Sequence, residues 1–295
     1  MENVKKIVLL LIVLVLIAGV ILVTVNFTLS KADVKKNPVV TMEFEGFGTV
    51  KIELYPDKAP NTVKNFVRLA QRGYYDGKTI TDIEEKLFRG GLAETTDEEG
   101  ETTVSGPKYS NIRDLREGEE DAAYNIEGEF IENGFNDNTL SHQRGVISMY
   151  RLTAANYENE IAMMQLMGDT YKAYVDTLVN DMNNSQNGGF FIVTEDSPEL
   201  DGQFAAFGKV IEGMDVVDAI QKVEVEKPST NSESGETEES TRPVKAPVIS
   251  KVTVDTFGVE YGEPATQSYY DFDAIFNMFL QSAMQGSNGN SMFLE

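Results

Sequence analysis

The 295-residue chain carries 48 acidic and 25 basic side chains, a formal net charge of −23 that repels nucleic acid and anionic headgroups and argues against both as partners. Cysteine is absent, which excludes disulfides, thiolate nucleophiles and lipobox-type lipidation. Histidine occurs once, at His142, so a multi-histidine metal site is excluded as well.

The first element is an anchor. Lys5 and Lys6 precede residues 7–25, nineteen positions without a charge. At ~1.5 Å per residue this stretch matches the ~30 Å hydrocarbon core of a bilayer. It is longer than the apolar region of a cleavable leader and no A-x-A site follows, so residues 1–30 read as an uncleaved, single-pass signal anchor. Lys5 and Lys6 compete with Lys31, Lys35 and Lys36 for the cytoplasmic side. The acidic remainder favours the first pair, which places the soluble part outside the cytoplasm at the cell membrane.

Short alternating runs follow at 39–45, 49–54, 145–150, 189–193, 205–210 and 248–256, bounded by Gly, Pro, Asn and Asp. They predict a mainly antiparallel β domain, a barrel or a sandwich. A helix is expected over 59–73, opened by Pro60 and Asn61, with Val63, Phe66, Val67 and Ala70 as its apolar stripe. A second is expected over 214–223. Residues 94–123, rich in Glu, Asp, Gly and Thr, read as a long mobile inserted loop. Residues 152–182 carry apolar side chains at three- and four-residue spacing and read as a long helix or a helix pair. Residues 227–242 (KPSTNSESGETEESTR) are low-complexity and read as disordered. Phe272, Ile275, Phe276, Phe279 and Leu280 mark a final amphipathic helix. The expected organisation is an anchor at 1–30, a domain at 31–264 and a helix with a tail at 265–295.

Several blocks occur in an order that resembles the cyclophilin-type prolyl isomerases. These are VTMEFEGFGTVKIELYPDKAPNTVKNFVRLAQRGYYDG at 40–77, FRGG at 88–91, YNIEGEFIENGF at 124–135, LSHQRGVISM at 140–149, GGFFIV at 188–193, LDGQFAAFGKVIEGMDVVDAI at 200–220 and VISKVTVDTFGVEYGEP at 248–264. The resemblance implies a closed eight-stranded antiparallel barrel with a helix over each open end. It also implies rotation about prolyl bonds of exported proteins as the activity, with no cofactor and no metal.

Members of that family hold proline in an apolar pocket and use an arginine donor near the prolyl nitrogen. Carried over by position, that arginine falls on Asp82, a carboxylate of opposite charge. The family's Phe-Met-x-Gln run becomes Lys86, Leu87, Phe88 and Arg89, and a second glutamine becomes Gly189. A tryptophan-type position becomes Glu199. Leu87, Met149, Tyr150, Arg151, Gly189, Phe191, Leu200 and Phe204 are the substrate-binding candidates implied, with core packing the competing reading for Met149. Arg89 and Arg151 are the two candidates to replace the lost donor, and Arg151 also reads as a backbone-binding or surface residue. His142 reads as structural, and the acidic run at 117–121 as a solvated loop rather than a Ca²⁺ site. Residues 152–182 fall beside the peptide groove, either docked on the barrel or presented to clients. Two functions follow: an isomerase with weakened or altered catalysis, or a non-catalytic peptide-binding chaperone or scaffold tethered to the membrane.

Overall fold

The computed structural model describes residues 36–96, 102–230 and 237–286. The anchor expected at 1–30 lies outside them; among the described residues no helix is long and apolar enough to cross a membrane.

Eight strands make the main sheet: β1 (Val39–Phe44), β2 (Gly48–Leu54), β3 (Ile80–Ile83), β4 (Leu87–Gly90), β5 (Val146–Met149), β6 (Phe190–Val193), β7 (Ala205–Glu212) and β8 (Ile249–Asp255). Their order is β8-β1-β2-β7-β5-β6-β4-β3, and every pairing is antiparallel. Period-2 alternation explains the outer strands. Val40, Met42 and Phe44 of β1, and Val50, Ile52 and Leu54 of β2, point into one core, with polar side chains between them. The sheet curls until its edges approach, and Thr79, just before β3, bridges Val248, just before β8. The eight-stranded antiparallel sheet implied by the resemblance is present as a curled sheet, and its edges are joined by this bridge and by backbone hydrogen bonds from Gly77 to Ile249, from Ile249 to Lys78 (both 2.7 Å) and from Ile80 to Pro247 (2.9 Å).

The described residues form five α-helices: α1 (Pro60–Gln71), α2 (Glu158–Leu166), α3 (Asp169–Asp181), α4 (Met214–Gln221) and α5 (Phe272–Gly286). Helix α1 packs on β7 and β8, and α4 on β2. Val63, Phe66, Val67 and Ala70 are buried, and Phe66 stacks on Tyr75 at 4.8 Å between ring centroids. Burying a side chain such as Phe66 stabilises by about 1.5–3 kcal/mol. The first turn of α1 is closed by a distant carboxylate: Glu129 accepts hydrogen bonds from the backbone N–H groups of Asn61 (2.9 Å) and Thr62 (2.7 Å).

Residues 152–182 form a helix pair, α2 and α3. Gly168, at φ 118°, supplies the break between them in a conformation that side-chain-bearing residues avoid. Their apolar faces do not join the main core. Ile161, Met164, Val175, Leu178 and Met182 pack with Phe272 and Phe279 of α5 in a second core, where Tyr157 and Phe272 lie 4.0 Å apart between ring centroids. The chain reaches this place because Gln267–Ser268 pairs with Tyr124–Asn125, and the Tyr270 hydroxyl donates to the Leu178 carbonyl at 3.0 Å.

Two expected loops are more regular than the composition suggested. Ala93–Thr96 pairs with Thr102–Ser105 as a hairpin, and Lys108 bridges Ala123, so 94–123 is not simply a long loop. Its β-branched threonines favour strand geometry over the loop that the acidic composition implied. Within it, Arg113 binds Glu119 and lowers its pKa to about 2, while Ser110 donates to Asp121. In 227–242, Ser229–Thr230 pairs with Thr237–Glu238, and the base is fastened by the bridge between Val225 and Pro243.

Candidate active site

Strands β3 and β4 build one wall. Alternation along β4 buries Phe88 and Gly90 and turns Leu87 and Arg89 to the other side. A regular ladder would set Thr81 opposite Arg89. Instead Ile80 pairs with Gly90 and Asp82 with Arg89, so Thr81 is the extra residue of a bulge that re-aims Asp82. Arg89 Nη2 lies 3.3 Å from Asp82 Oδ1 and 3.0 Å from Glu84 Oε1, and the guanidinium covers the Tyr150 ring at 4.9 Å. Asp82 is held further by the hydroxyls of Thr81 and Thr241, each at 2.8 Å. The buried Nε of Arg89 has no hydrogen-bond partner.

Strands β5 and β6 build the floor. Phe190 and Ile192 enter the main core, while Phe191 between them meets Phe204 edge-on at 5.2 Å and lies parallel to His142 at 6.0 Å. His142 is almost fully buried, with Nδ1 3.0 Å from Asp201 Oδ1 and Nε2 2.9 Å from the hydroxyl of Ser148. A neutral ring that donates to Asp201 and accepts from Ser148 satisfies both contacts. Burial lowers the pKa of His142 and outweighs the opposing pull of Asp201. Burial alone would raise Asp201, but hydrogen bonds from Ser141 and from the backbone and ring of His142 bring it below its ordinary value.

Arg151 is committed elsewhere. Its Nε donates to the Gln203 carbonyl and its Nη1 to the Leu152 carbonyl, both at 2.9 Å, and its faces are covered by Phe130 and Phe204. At the rim, Lys86 reaches Glu199 at 2.9 Å, a contact that raises the lysine's pKa. The two residues that replace apolar family positions therefore pair with each other.

Two cavities flank Arg89 and Tyr150. The larger, about 800 Å³, collects Leu87, Arg151, Phe191, Leu200 and Phe204, and is walled by 153–156 and by Asp176, Val179 and Asn180 of α3. The smaller, about 540 Å³, holds Asp82, Gly189 and Phe190, and is walled by Tyr157 and residues 269–273. Met149 is fully buried and belongs to the main core, the packing reading the sequence offered beside substrate binding, because alternation turns it inward and turns Ser148 toward His142. Gly189 lines the smaller cavity, where a Cβ would come within 3.0 Å of the Leu92 side chain, leaving no room for a glutamine unless Leu92 moves. The α3 wall lies in the insertion 152–182 that the sequence placed beside the peptide groove, whereas Glu84 and the segment 269–273 were not anticipated. The apolar stripes signalled that these helices are covered, but no local pattern gives their position relative to β4.

The family described as "Cyclophilin type peptidyl-prolyl cis-trans isomerase/CLD" matches residues 39–164 and 172–254, more than half of the chain. The chain belongs to the cyclophilin family. It is 26% identical over 180 residues to the peptidyl-prolyl cis-trans isomerase CYP71 of Arabidopsis thaliana, a match covering 61% of this chain and only 20% of that longer protein. A protein of Staphylococcus haemolyticus, named provisionally as a peptidyl-prolyl cis-trans isomerase, is 27% identical over 201 residues, covering 68% of this chain and 89% of its own length. A solved cyclophilin-type isomerase of Cryptosporidium parvum superposes with a TM-score of 0.48 at 19% identity, covering 74% of this chain and 98% of that one. In this cyclophilin, the positions where the resemblance expected an arginine and a glutamine carry Asp82 and Arg89, which face each other across one ladder.

Proposed function

We propose that this cyclophilin is a membrane-tethered, extracytoplasmic peptidyl-prolyl cis-trans isomerase that acts on proline-containing segments of exported proteins, with turnover restrained by the charges around Arg89. The observation that carries the reading is the larger cavity, where Leu87, Phe191, Leu200 and Phe204 offer an apolar seat beside the Arg89 guanidinium. Rotation of a peptide bond faces a barrier of ~18–20 kcal/mol set by delocalisation of the nitrogen lone pair. A donor that bonds the prolyl nitrogen localises that pair and lowers the barrier, and an apolar seat fixes the ring while the carbonyl turns. Arg89 is the donor at the cavity, whereas Arg151 is held by carbonyls at its Nε and Nη1 and covered on both faces by Phe130 and Phe204. The test is cis/trans exchange of a prolyl tetrapeptide, followed by NMR with the full chain in detergent. Exchange faster than in buffer that disappears in Arg89→Ala supports the reading, and exchange equal to buffer ends it.

A second reading, a non-catalytic peptide-binding chaperone or scaffold, is favoured by the two carboxylates that hold Arg89. It predicts peptide binding at the cavity without acceleration. The tether and the location rest on the uncharged run at 7–25. Membrane fractionation, with protease added from outside intact cells, tests both; a chain found in the soluble cytoplasmic fraction would remove this part of the proposal.

A further inference from the structure

The two cavities share Arg89 and Tyr150 as a partition, and their charges are unequal. Asp82, Asp271 and Asp273 line the smaller, and Glu84, Glu132 and Asp176 the larger, against Arg89 and Arg151 alone. Among the described residues, no lysine lines either one. Both guanidinium groups are already engaged, Arg89 by Asp82 and Glu84, and Arg151 by two carbonyls and two aromatic faces. The excess negative charge therefore faces whatever enters. The smaller cavity adds the aromatic side chains of Tyr157 and Tyr269, and aromatic ring faces attract cations. Its acidic side is contributed largely by residues 271–273, beyond the stretch that matches the family. Asp271 also caps α5 by accepting from the Ala274 N–H at 2.9 Å, a structural role that uses one oxygen and leaves the charge in place. Partial burial, and then the charges of Asp271 and Glu160, raise the pKa of Asp273, a strain that an incoming cation would relieve.

We propose that the groove selects cationic substrates: proline-containing segments with a lysine or arginine next to the proline, whose charged end seats in the smaller cavity while the proline occupies the larger. The inference rests on the isomerase reading and names its substrate class. Asp271 and Asp273 of the C-terminal segment are the specificity-determining residues of the smaller cavity in this account, and Asp176 of α3 adds negative charge from the larger cavity on the other side of the partition.

The experiment uses the full chain and three fluorescent peptides that share an Ala-Pro centre and carry lysine, alanine or glutamate at the flanking positions. The lysine peptide is expected to bind about tenfold more tightly than the glutamate peptide, the size that several partly exposed ion pairs together supply. A triple variant, Asp176→Asn, Asp271→Asn and Asp273→Asn, is expected to bring the two within about twofold of each other. Asparagine also caps helices, so α5 keeps its first turn. A control, Glu45→Gln, Asp57→Asn and Glu260→Gln, removes equal charge at positions that line neither cavity and is expected to preserve the preference. Equal affinity for all three peptides, a preference that survives the triple variant, or one lost equally in the control would overturn the inference while leaving the isomerase reading intact. Binding of none of the three peptides would overturn the isomerase reading itself.

Discussion

Asp82 stands across the ladder from Arg89, its Oδ1 3.3 Å from the guanidinium, so the charge of each side chain holds the other in place. Asp82→Asn removes the charge, keeps the shape and loosens the guanidinium. Turnover on a prolyl peptide should rise by about tenfold, a fraction of the ~10²–10³ that one well-aimed donor supplies. Arg89→Ala, alone or combined with Asp82→Asn, should return the rate to that of buffer. NMR exchange measures all three variants, and an Asp82→Asn rate unchanged from the parent would mean the ion pair does not restrain the donor.

His142 makes stability depend on pH. Its folded pKa lies below the ordinary histidine value because it is buried, so the folded state binds protons less readily than the unfolded one. Its contribution is fully present above about pH 6.5 and is lost as pH falls from there toward the folded pKa. The denaturant midpoint should fall between pH 8 and pH 5.5. His142→Gln, lower at the outset, should show a flatter dependence over that window.

Glu129 acts in the opposite sense. Burial raises its pKa despite the two backbone N–H groups it accepts from, so its ionisation costs the folded state. That titration favours folding below the ordinary carboxylate range and loses its contribution as pH rises through the raised pKa. Glu129→Gln removes one acceptor from the first turn of α1 and should destabilise by about 1–3 kcal/mol, measured by urea unfolding at neutral pH.

The extent to which the sequence reveals this molecule differs between its parts. The strands were legible because Val40, Met42 and Phe44, or Val50, Ile52 and Leu54, repeat at the period of a pleated sheet with one buried face. Phe191 and Phe204, which line the larger cavity, were singled out through the family blocks. The Asp82–Arg89 contact was not, because it depends on the one-residue bulge at Thr81, and a register shift leaves no trace in local composition. Met149 shows the same limit, since neighbouring positions of one strand face opposite sides. The packing of α2 and α3 against α5 was hidden for another reason. An apolar stripe reports that a helix is covered and says nothing about the partner.

That second core yields a separable stability prediction. Phe279 is buried between the α2–α3 pair and its own helix, and truncating a buried phenylalanine costs about 3–5 kcal/mol. In Phe279→Ala, amide hydrogen exchange should speed up across α2, α3 and α5 while the amides of β1, β2 and β7 stay protected. Equal loosening of the main sheet would mean that the two cores unfold as one unit.

The packing of α5 on α2 and α3 has a consequence for timing. A chain leaving the ribosome from its N-terminus has all eight strands available once Asp255 has emerged, yet α5 and the 269–273 wall of the smaller cavity come later. The cleft is therefore completed only after the sheet that it stands on. A nascent chain, or one clipped before Phe272, presents the curled sheet with one bank of its cleft missing.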